Sequence, residues 1–515
     1  MKRALGKMVV GNILANAALR YPDLPSIYCA GSGRRFTFRE TEERSNRLAQ
    51  ALLGQGLQRG DVVAFILSNR AEIVEVFFAL ARTGIIGLPL NYRLATSEIV
   101  DLMRSMGATA LIYEGRFVNE ALAVRRALPG IARAIRIASP TTDFGSDYEE
   151  LLRAASPRPP ESEVDEDDPY YFNLTSGTTG VPKAYMLTHY NNCATGFMFP
   201  QFDLTRRDAL MTVFPVFGRV GFAWIIASFL YGIPNVLANF DPSQVLELIA
   251  TERVTFINLV PTMAAMLLQA SAGTVTDLRS LRAIVFAGAV LPPSIREQTQ
   301  RSLCRDIYEY YGMNEMGSLF ISTPADRASR PDSVGRPSMF SEARIVDDEG
   351  RNLGPNQIGE ILGRSPMSAT AYFDSPTKSA ETFRDGWLHT GDLGYRDEDG
   401  YLYICGRKKD MIITGGQNVY PAELEDVVLR LDGVAECAVV GLPDELWGER
   451  VTAVVVPHPN AAVTAAQIEA FCRRHLAGFK IPKEFVILGE TLPRNPNGKI
   501  QKFLLVNKLS RREIA

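Results

Sequence analysis

Tyr170-Tyr171-Phe172-Asn173-Leu174-Thr175-Ser176-Gly177-Thr178-Thr179-Gly180-Val181-Pro182-Lys183 is an aromatic strand that runs into a loop of hydroxyls and glycines and closes on a lysine. Each residue type in the loop has a use at an anion. Glycines let backbone N–H groups approach closely, Ser and Thr hydroxyls donate to phosphate oxygens, and the lysine adds a point charge. The spacing is GxxGxPK and Ala184 follows the lysine, so this is not the GxxxxGK[ST] of a Walker A loop. On the N-terminal side the pattern alternates: a helix over 40–57 ending near Gly56 and Gly60, an apolar strand over 61–67, a helix over 71–82 and a strand over 85–90. Strands separated by helices imply parallel sheet covered on both faces, an α/β class.

Further out, 156–169 is rich in proline and acid and reads as a solvated connection. The α/β alternation continues to about residue 330. From 335 to 403 short strands between Gly, Pro and Asp turns suggest a β-rich subdomain. Beyond about 410 a small α+β unit is expected, with helices over 421–431 and 464–476 and strands over 436–441 and 450–457. A chain of 515 residues is too long for one ordinary domain. Its net charge of −3 offers no basic field for nucleic acid. Six scattered cysteines without a CxxC point to reduced thiols and a cytoplasmic location, and the four histidines show no ligand spacing. The apolar run after Lys7 is broken by Asn12 and continues at helical spacing, so it reads as an amphipathic first helix rather than a leader. The uncharged stretch 220–240 contains Gly232-Ile233-Pro234-Asn235, a turn between a buried helix and a strand, so no integral membrane segment is expected.

Four more strings complete the reading: Tyr311-Gly312-Met313-Asn314-Glu315, Gly386-Trp387-Leu388-His389-Thr390-Gly391-Asp392, the run Gly406-Arg407-Lys408-Lys409-Asp410 followed by Gly415-Gly416-Gln417-Asn418-Val419-Tyr420-Pro421, and Pro493-Arg494-Asn495-Pro496-Asn497-Gly498-Lys499-Ile500. Together with 175–183, and in the same order, they resemble the YGxTE, GWxxTGD, hinge and PRxxxGKI motifs of the acyl-adenylate-forming superfamily. Acyl-CoA synthetases, amino-acid adenylation domains and firefly luciferase belong to it, and the likeness covers essentially the whole chain.

The resemblance implies a chemistry and a set of roles. A carboxylate attacks the α-phosphorus of ATP to give acyl-AMP and pyrophosphate, and a thiol then displaces AMP. Such phosphoryl chemistry depends on positioning and on neutralising charge. By this likeness Thr175, Ser176, Gly177, Thr178, Thr179, Gly180 and Lys183 hold the phosphates, and Glu315 ligates Mg2+. Gly288, Ala289, Tyr311, Gly312, Asp392, Arg407 and Asn418 take the nucleoside. Lys499 contacts the substrate carboxylate and α-phosphate, Asn314 donates to the α-phosphate, and Lys409 is the hinge. Phe217, Gly218, Val220, Gly221 and Met313 line the acyl pocket, and Gly415 and Gly416 the CoA tunnel. Two units follow, 1–408 for acyl and ATP binding and 409–515 as a mobile domain carrying Lys499. The implied enzyme is an ATP-dependent acyl-CoA synthetase for a fatty or aromatic acid, with a homodimer as the candidate assembly. Two alternatives stay open: an acyl-AMP ligase loading a carrier-protein phosphopantetheine, and a degenerate nucleotide-binding sensor.

The chain departs from the family pattern at three places. Asn314 replaces the threonine of YGxTE, and Ala184 replaces the glycine after the loop lysine. The acyl-pocket motif PxFHxxG becomes Pro215-Val216-Phe217-Gly218-Arg219-Val220-Gly221. Gly218 removes the plug between acyl pocket and thiol tunnel, which leaves a thinner wall. Arg219 is expected to point outward as a surface or interdomain arginine; the alternative is an inward, buried guanidinium that a second carboxylate on the substrate would pair in a bidentate fashion.

Overall fold

The computed structural model describes residues 7–138, 144–175, 183–272, 276–494 and 500–511. Four sheets organise the chain. A seven-stranded sheet runs in the order Ser146–Asp147, Arg133–Ile137, Ala108–Glu114, Val62–Ile66, Ile86–Pro89, Pro169–Thr175, Lys183–Thr188. Its strands are parallel except for the final pair, where Thr175 stands opposite Lys183 in antiparallel register. A nine-stranded sheet has a parallel centre, and its edges fold back antiparallel through Arg34–Thr37 on one side and Gly317–Ser322 on the other. The expected parallel pairing is found in the interiors of both sheets. Each antiparallel edge comes from a short hairpin, which needs no crossover helix.

Local chemistry sets the helices between the sheets. Thr37 and Glu40 form a reciprocal capping box at the start of Phe38–Gly54, and Ala71–Thr83 stops at Gly84, which takes the left-handed conformation. Arg219–Tyr231 is apolar nearly all round and ends at left-handed Gly232, just before the strand Asn235–Leu237. A helix without a polar face is buried on all sides. Phe77 and Phe222 stack at 4.0 Å, and one core joins these two helices to residues from both large sheets, Phe65 and Tyr171 from one and Ile27 and Leu237 from the other.

The 335–403 region forms an antiparallel sheet in which Trp387–Arg396 pairs with Gly359–Arg364, Phe383–Arg384 and Leu402–Arg407. The fourth sheet unites Gln417–Val419, Ile412–Thr414, Gly448–Pro457, Val434–Asp444 and Glu484–Ile487, covered by Pro421–Leu429 and Ala465–His475 over its own core. The protein is thus a large α/β assembly with mixed sheets and a smaller α+β part. No helix among the described residues is long and apolar enough to cross a membrane. The acidic stretch 156–169 is less free than its composition suggests. Arg59 pairs with Asp168 at 2.5 Å, Lys7 with Asp165 at 3.2 Å, and the Glu166 carboxylate accepts the Met8 N–H at 3.0 Å. Cations from distant segments neutralise it, a partnership that composition cannot show.

Candidate active site

The antiparallel strands Pro169–Thr175 and Lys183–Thr188 flank the loop expected to hold the phosphates. Of that loop, Ser176, Gly177, Thr178, Thr179 and Gly180 lie outside the described residues, as does Lys499; Thr175 ends the first strand and Lys183 begins the second. Lys183 Nζ sits 5.1 Å from the centre of the Tyr372 ring. The Tyr372 hydroxyl donates to Glu315 Oε1 at 2.8 Å. Tyr372 therefore joins the loop lysine to the carboxylate expected to hold Mg2+, and no motif in the sequence marks it. The segment that carries it is strapped to the hairpin, Phe373 N–H to Ala184 O at 2.7 Å, and to the Glu315 backbone through Ala369 N–H at 2.7 Å. Ala184, the departure after the lysine, thus serves as a docking point for this strap.

Glu315 lies in the tight turn between Asp306–Met313 and Gly317–Ser322. Gly312 is required there because a Cβ would run into the Gly317 carbonyl. Glu315 is buried, and no bond to its Oε2 is recorded among the described residues. No cluster of three or more metal-ligating side chains occurs among those residues. A single buried carboxylate suits Mg2+, which takes one or two carboxylates and completes its octahedron with phosphate oxygens and water. The Asn314 side chain is exposed beside it, and its carbonyl accepts the Tyr185 hydroxyl at 2.5 Å.

Tyr311, Asp392 and Arg407 meet one step further on. The Tyr311 hydroxyl donates to Asp392 Oδ2 at 2.7 Å, and Arg407 Nε lies 2.7 Å from Asp392 Oδ1. Strand pairing brings the last two together, since Asp392 stands opposite Arg407 in the antiparallel ladder. Burial pushes the Tyr311 phenol well above its ordinary pKa, with the Asp392 charge adding to the effect. Asp392 is thus held in one orientation, each of its carboxylate oxygens engaged by one of these partners. Gly288, at φ +82, and Ala289 follow the strand Ala283–Phe286 as an open, exposed strip.

Phe217 packs edge-on to Tyr92 at 5.3 Å, Met313 is half-buried, and Gly218 is the N-cap of the helix Arg219–Tyr231, with Val220 and Gly221 in its first turn. The outward expectation for Arg219 is wrong. Its side chain is buried and donates to the backbone carbonyls of Asn314 and Met367. The guanidinium reaches these acceptors because the 311–317 turn and the 365–369 strap converge in front of the helix, which sequence distance conceals.

The C-terminal candidates stand apart from this cluster. Lys409 is exposed in the single turn Lys408–Asp410, where Lys408 pairs with Asp348 at 2.8 Å. Gly415 and Gly416, at φ +55 and +76, form an exposed hairpin tip in which Gly415 N–H donates to Trp447 O at 2.8 Å. Asn418 is exposed on the same hairpin beside Tyr420, and no recorded bond links it to Asp392 or Tyr311.

Comparison with known proteins follows this division. Residues 14–373 match the AMP-binding enzyme family and residues 423–499 the AMP-binding enzyme C-terminal domain. Long-chain-fatty-acid–CoA ligase FadD13 of Mycobacterium tuberculosis is 34% identical over 97% of this chain and 98% of its own. Fatty acid–[acyl-carrier-protein] ligase ScoC of Streptomyces coeruleorubidus is 32% identical over 93% and 92%. The anthranilate CoA ligase AuaEII, solved with anthranoyl-AMP, superposes with a TM-score of 0.91 at 28% identity over 98% of both chains. Both family models, matched in order, and likeness along nearly the whole length lead to one conclusion: the chain belongs to the acyl-adenylate-forming superfamily of AMP-binding enzymes.

Proposed function

We propose that this adenylate-forming enzyme is an ATP-dependent acyl-CoA synthetase that activates a fatty or aromatic carboxylic acid and passes the acyl group to CoA. The observation that carries the reading is the Lys183–Tyr372–Glu315 arrangement beside Tyr311–Asp392–Arg407, a charge-neutralising end and a sugar-orienting end on adjoining elements. In this reading Asp392 accepts the ribose hydroxyls while Arg407 and Tyr311 hold it in place. Lys183 and the loop 175–180 neutralise the phosphates. Mg2+, when bound through Glu315, supplies further charge neutralisation on the phosphate oxygens. Lys499 and the exposed Asn314 amide stabilise charge building at the α-phosphorus. The units 1–408 and 409–515 alternate about Lys409, so that Gly415 and Gly416 reach the thiol in the second step. A cytoplasmic location with ready ATP and CoA accords with reduced thiols.

The acid class is supported by relatives named for a long-chain fatty acid and for anthranilate. The carrier-protein relative supports one other acceptor, a phosphopantetheine thiol. Purified protein with ATP, Mg2+ and a panel of acids, assayed for pyrophosphate exchange and for AMP release with and without CoA, separates these. Acid-dependent AMP release that requires CoA is expected. Exchange with no stimulation by CoA points to the carrier thiol, and no exchange with any acid refutes activation altogether.

A further inference from the structure

The helix Arg219–Tyr231 opens on a buried charge that no carboxylate contacts among the described residues. Arg219 is 7% exposed, and among the described residues it has no carboxylate partner. Guanidinium has five N–H donors, and the two backbone carbonyls of Asn314 and Met367 engage only two of them. Burying a cation costs several kcal/mol unless an opposite charge and further hydrogen bonds offset it. Backbone carbonyls orient the group but carry no net charge.

Two independent features add to the imbalance. Arg219 is the first residue of a 13-residue helix, Gly218 gives it no side-chain cap, and its first turn holds no acid. The helix dipole already places about half a positive charge at that end, where an acidic residue is the favourable choice. The chain instead places an arginine there. In addition, Tyr171 is wholly buried and its hydroxyl has no hydrogen-bond partner among the described residues. Burial raises the pKa values of Tyr171, Tyr185 and Tyr310, and the Arg219 charge opposes the rise in each. A buried cation that no carboxylate contacts among the described residues thus stands at a helix start without a side-chain cap, where oxygens that carry negative charge are favoured.

We infer that Arg219 is a specificity residue and that the acid activated here carries a second anionic group, a carboxylate or sulfonate, which lies against the Arg219 guanidinium. The inference rests on the proposed acid activation and names its substrate class. Gly218 suits it, since among the described residues a Cβ there would come within 4 Å only of the Pro215 carbonyl oxygen, at 3.4 Å. ATP brings its own anionic groups, but these belong to Lys183 and the loop 175–180, and the reacting carboxylate belongs to Asn314 and Lys499. The second group has no other cation assigned to it.

The test is pyrophosphate exchange on the full chain with straight monoacids of four to eight carbons, the matching α,ω-diacids, and 6-sulfohexanoate. The unaltered protein is expected to favour a diacid or the sulfonate by at least ~10-fold in kcat/KM over the matched monoacid. Arg219→Gln is expected to lower turnover of the dianions by ~100-fold more than that of the matched monoacids, the scale of truncating one partner of a buried charge pair. Arg219→Lys, which keeps the charge, should retain part of the preference. Preference for monoacids by the unaltered protein overturns the inference even if every variant fails to fold. An equal loss for all acids in Arg219→Gln also overturns it, because Arg219 then serves the reacting carboxylate or merely clamps the 311–317 turn. No exchange with any acid refutes the activation reading itself, and this inference with it.

Discussion

Replacing Tyr372 by phenylalanine deletes one oxygen atom and tests whether the link between Lys183 and Glu315 matters. The ring stays beneath Lys183, so only the 2.8 Å hydrogen bond to Glu315 Oε1 is lost. Both residues are buried, Tyr372 at 8% and Glu315 at 7% exposure, so water does not readily replace the missing donor. A hydrogen bond to a charged group contributes about 1.5–3 kcal/mol, which corresponds to roughly 10- to 150-fold in an equilibrium or rate constant. The carboxylate is the expected Mg2+ ligand, so the loss should appear in the metal dependence. In pyrophosphate exchange at saturating ATP and acid, the half-saturating free Mg2+ should rise at least ~10-fold. Tyr372→Leu also removes the cation–π contact with Lys183, a further ~0.5–2 kcal/mol, and should raise the KM for ATP as well. If Tyr372→Phe shows the parent Mg2+ dependence and the parent rate, the tyrosine is only packing and the proposed coupling is refuted.

Lys499→Ala should reduce adenylation by ~10²-fold or more, the scale of losing one donor at a developing charge, and leave thioester formation from supplied acyl-AMP much less affected; equal losses in both half-reactions would contradict the assignment. Lys409→Pro fixes φ at the hinge and should impair thioester formation more than adenylation, and normal rates in both steps would rule out alternation about this residue. His189 governs an acid limit. It is buried against Tyr170 at 4.7 Å, its Nδ1 accepts the Val10 N–H at 3.3 Å, and burial pushes its pKa down to about 4, with Asp168 opposing and Arg59 assisting. Because the folded-state pKa is below the unfolded one, the unfolded chain binds the proton first as pH falls. Stability should therefore be flat with respect to this group above about 6.5 and lose roughly 3 kcal/mol between about 6.5 and 4. Urea unfolding at pH 7 and pH 4.5 should show a smaller drop for His189→Asn than for the parent, and identical drops would remove His189 as the cause.

Much of the fold is legible from local order alone. The helices over 71–82 and 464–476 appear as Ala71–Thr83 and Ala465–His475, and the turn at Gly232 lies where glycine and proline punctuate the apolar run. These features depend on hydrophobic period, capping residues and glycine conformations, all written within a dozen neighbouring residues. The ordered motifs likewise identify the family, because its chemistry restricts which residue types serve, and two of them contribute Tyr311 and Asp392, which the structure brings together. What the sequence leaves open depends on contacts between distant segments. Tyr372 belongs to no motif and acquires its role only when the strap docks on Ala184 and brings its hydroxyl to Glu315, 57 positions away. Arg219 reads as a surface arginine until residues 95 and 148 positions further along the chain close over it with their carbonyls. Side-chain type determines what a group can donate or accept. Whether it is buried, and whether its charge is balanced, depends on what the tertiary structure packs around it, and on this second kind of information the choice of substrate is proposed to rest.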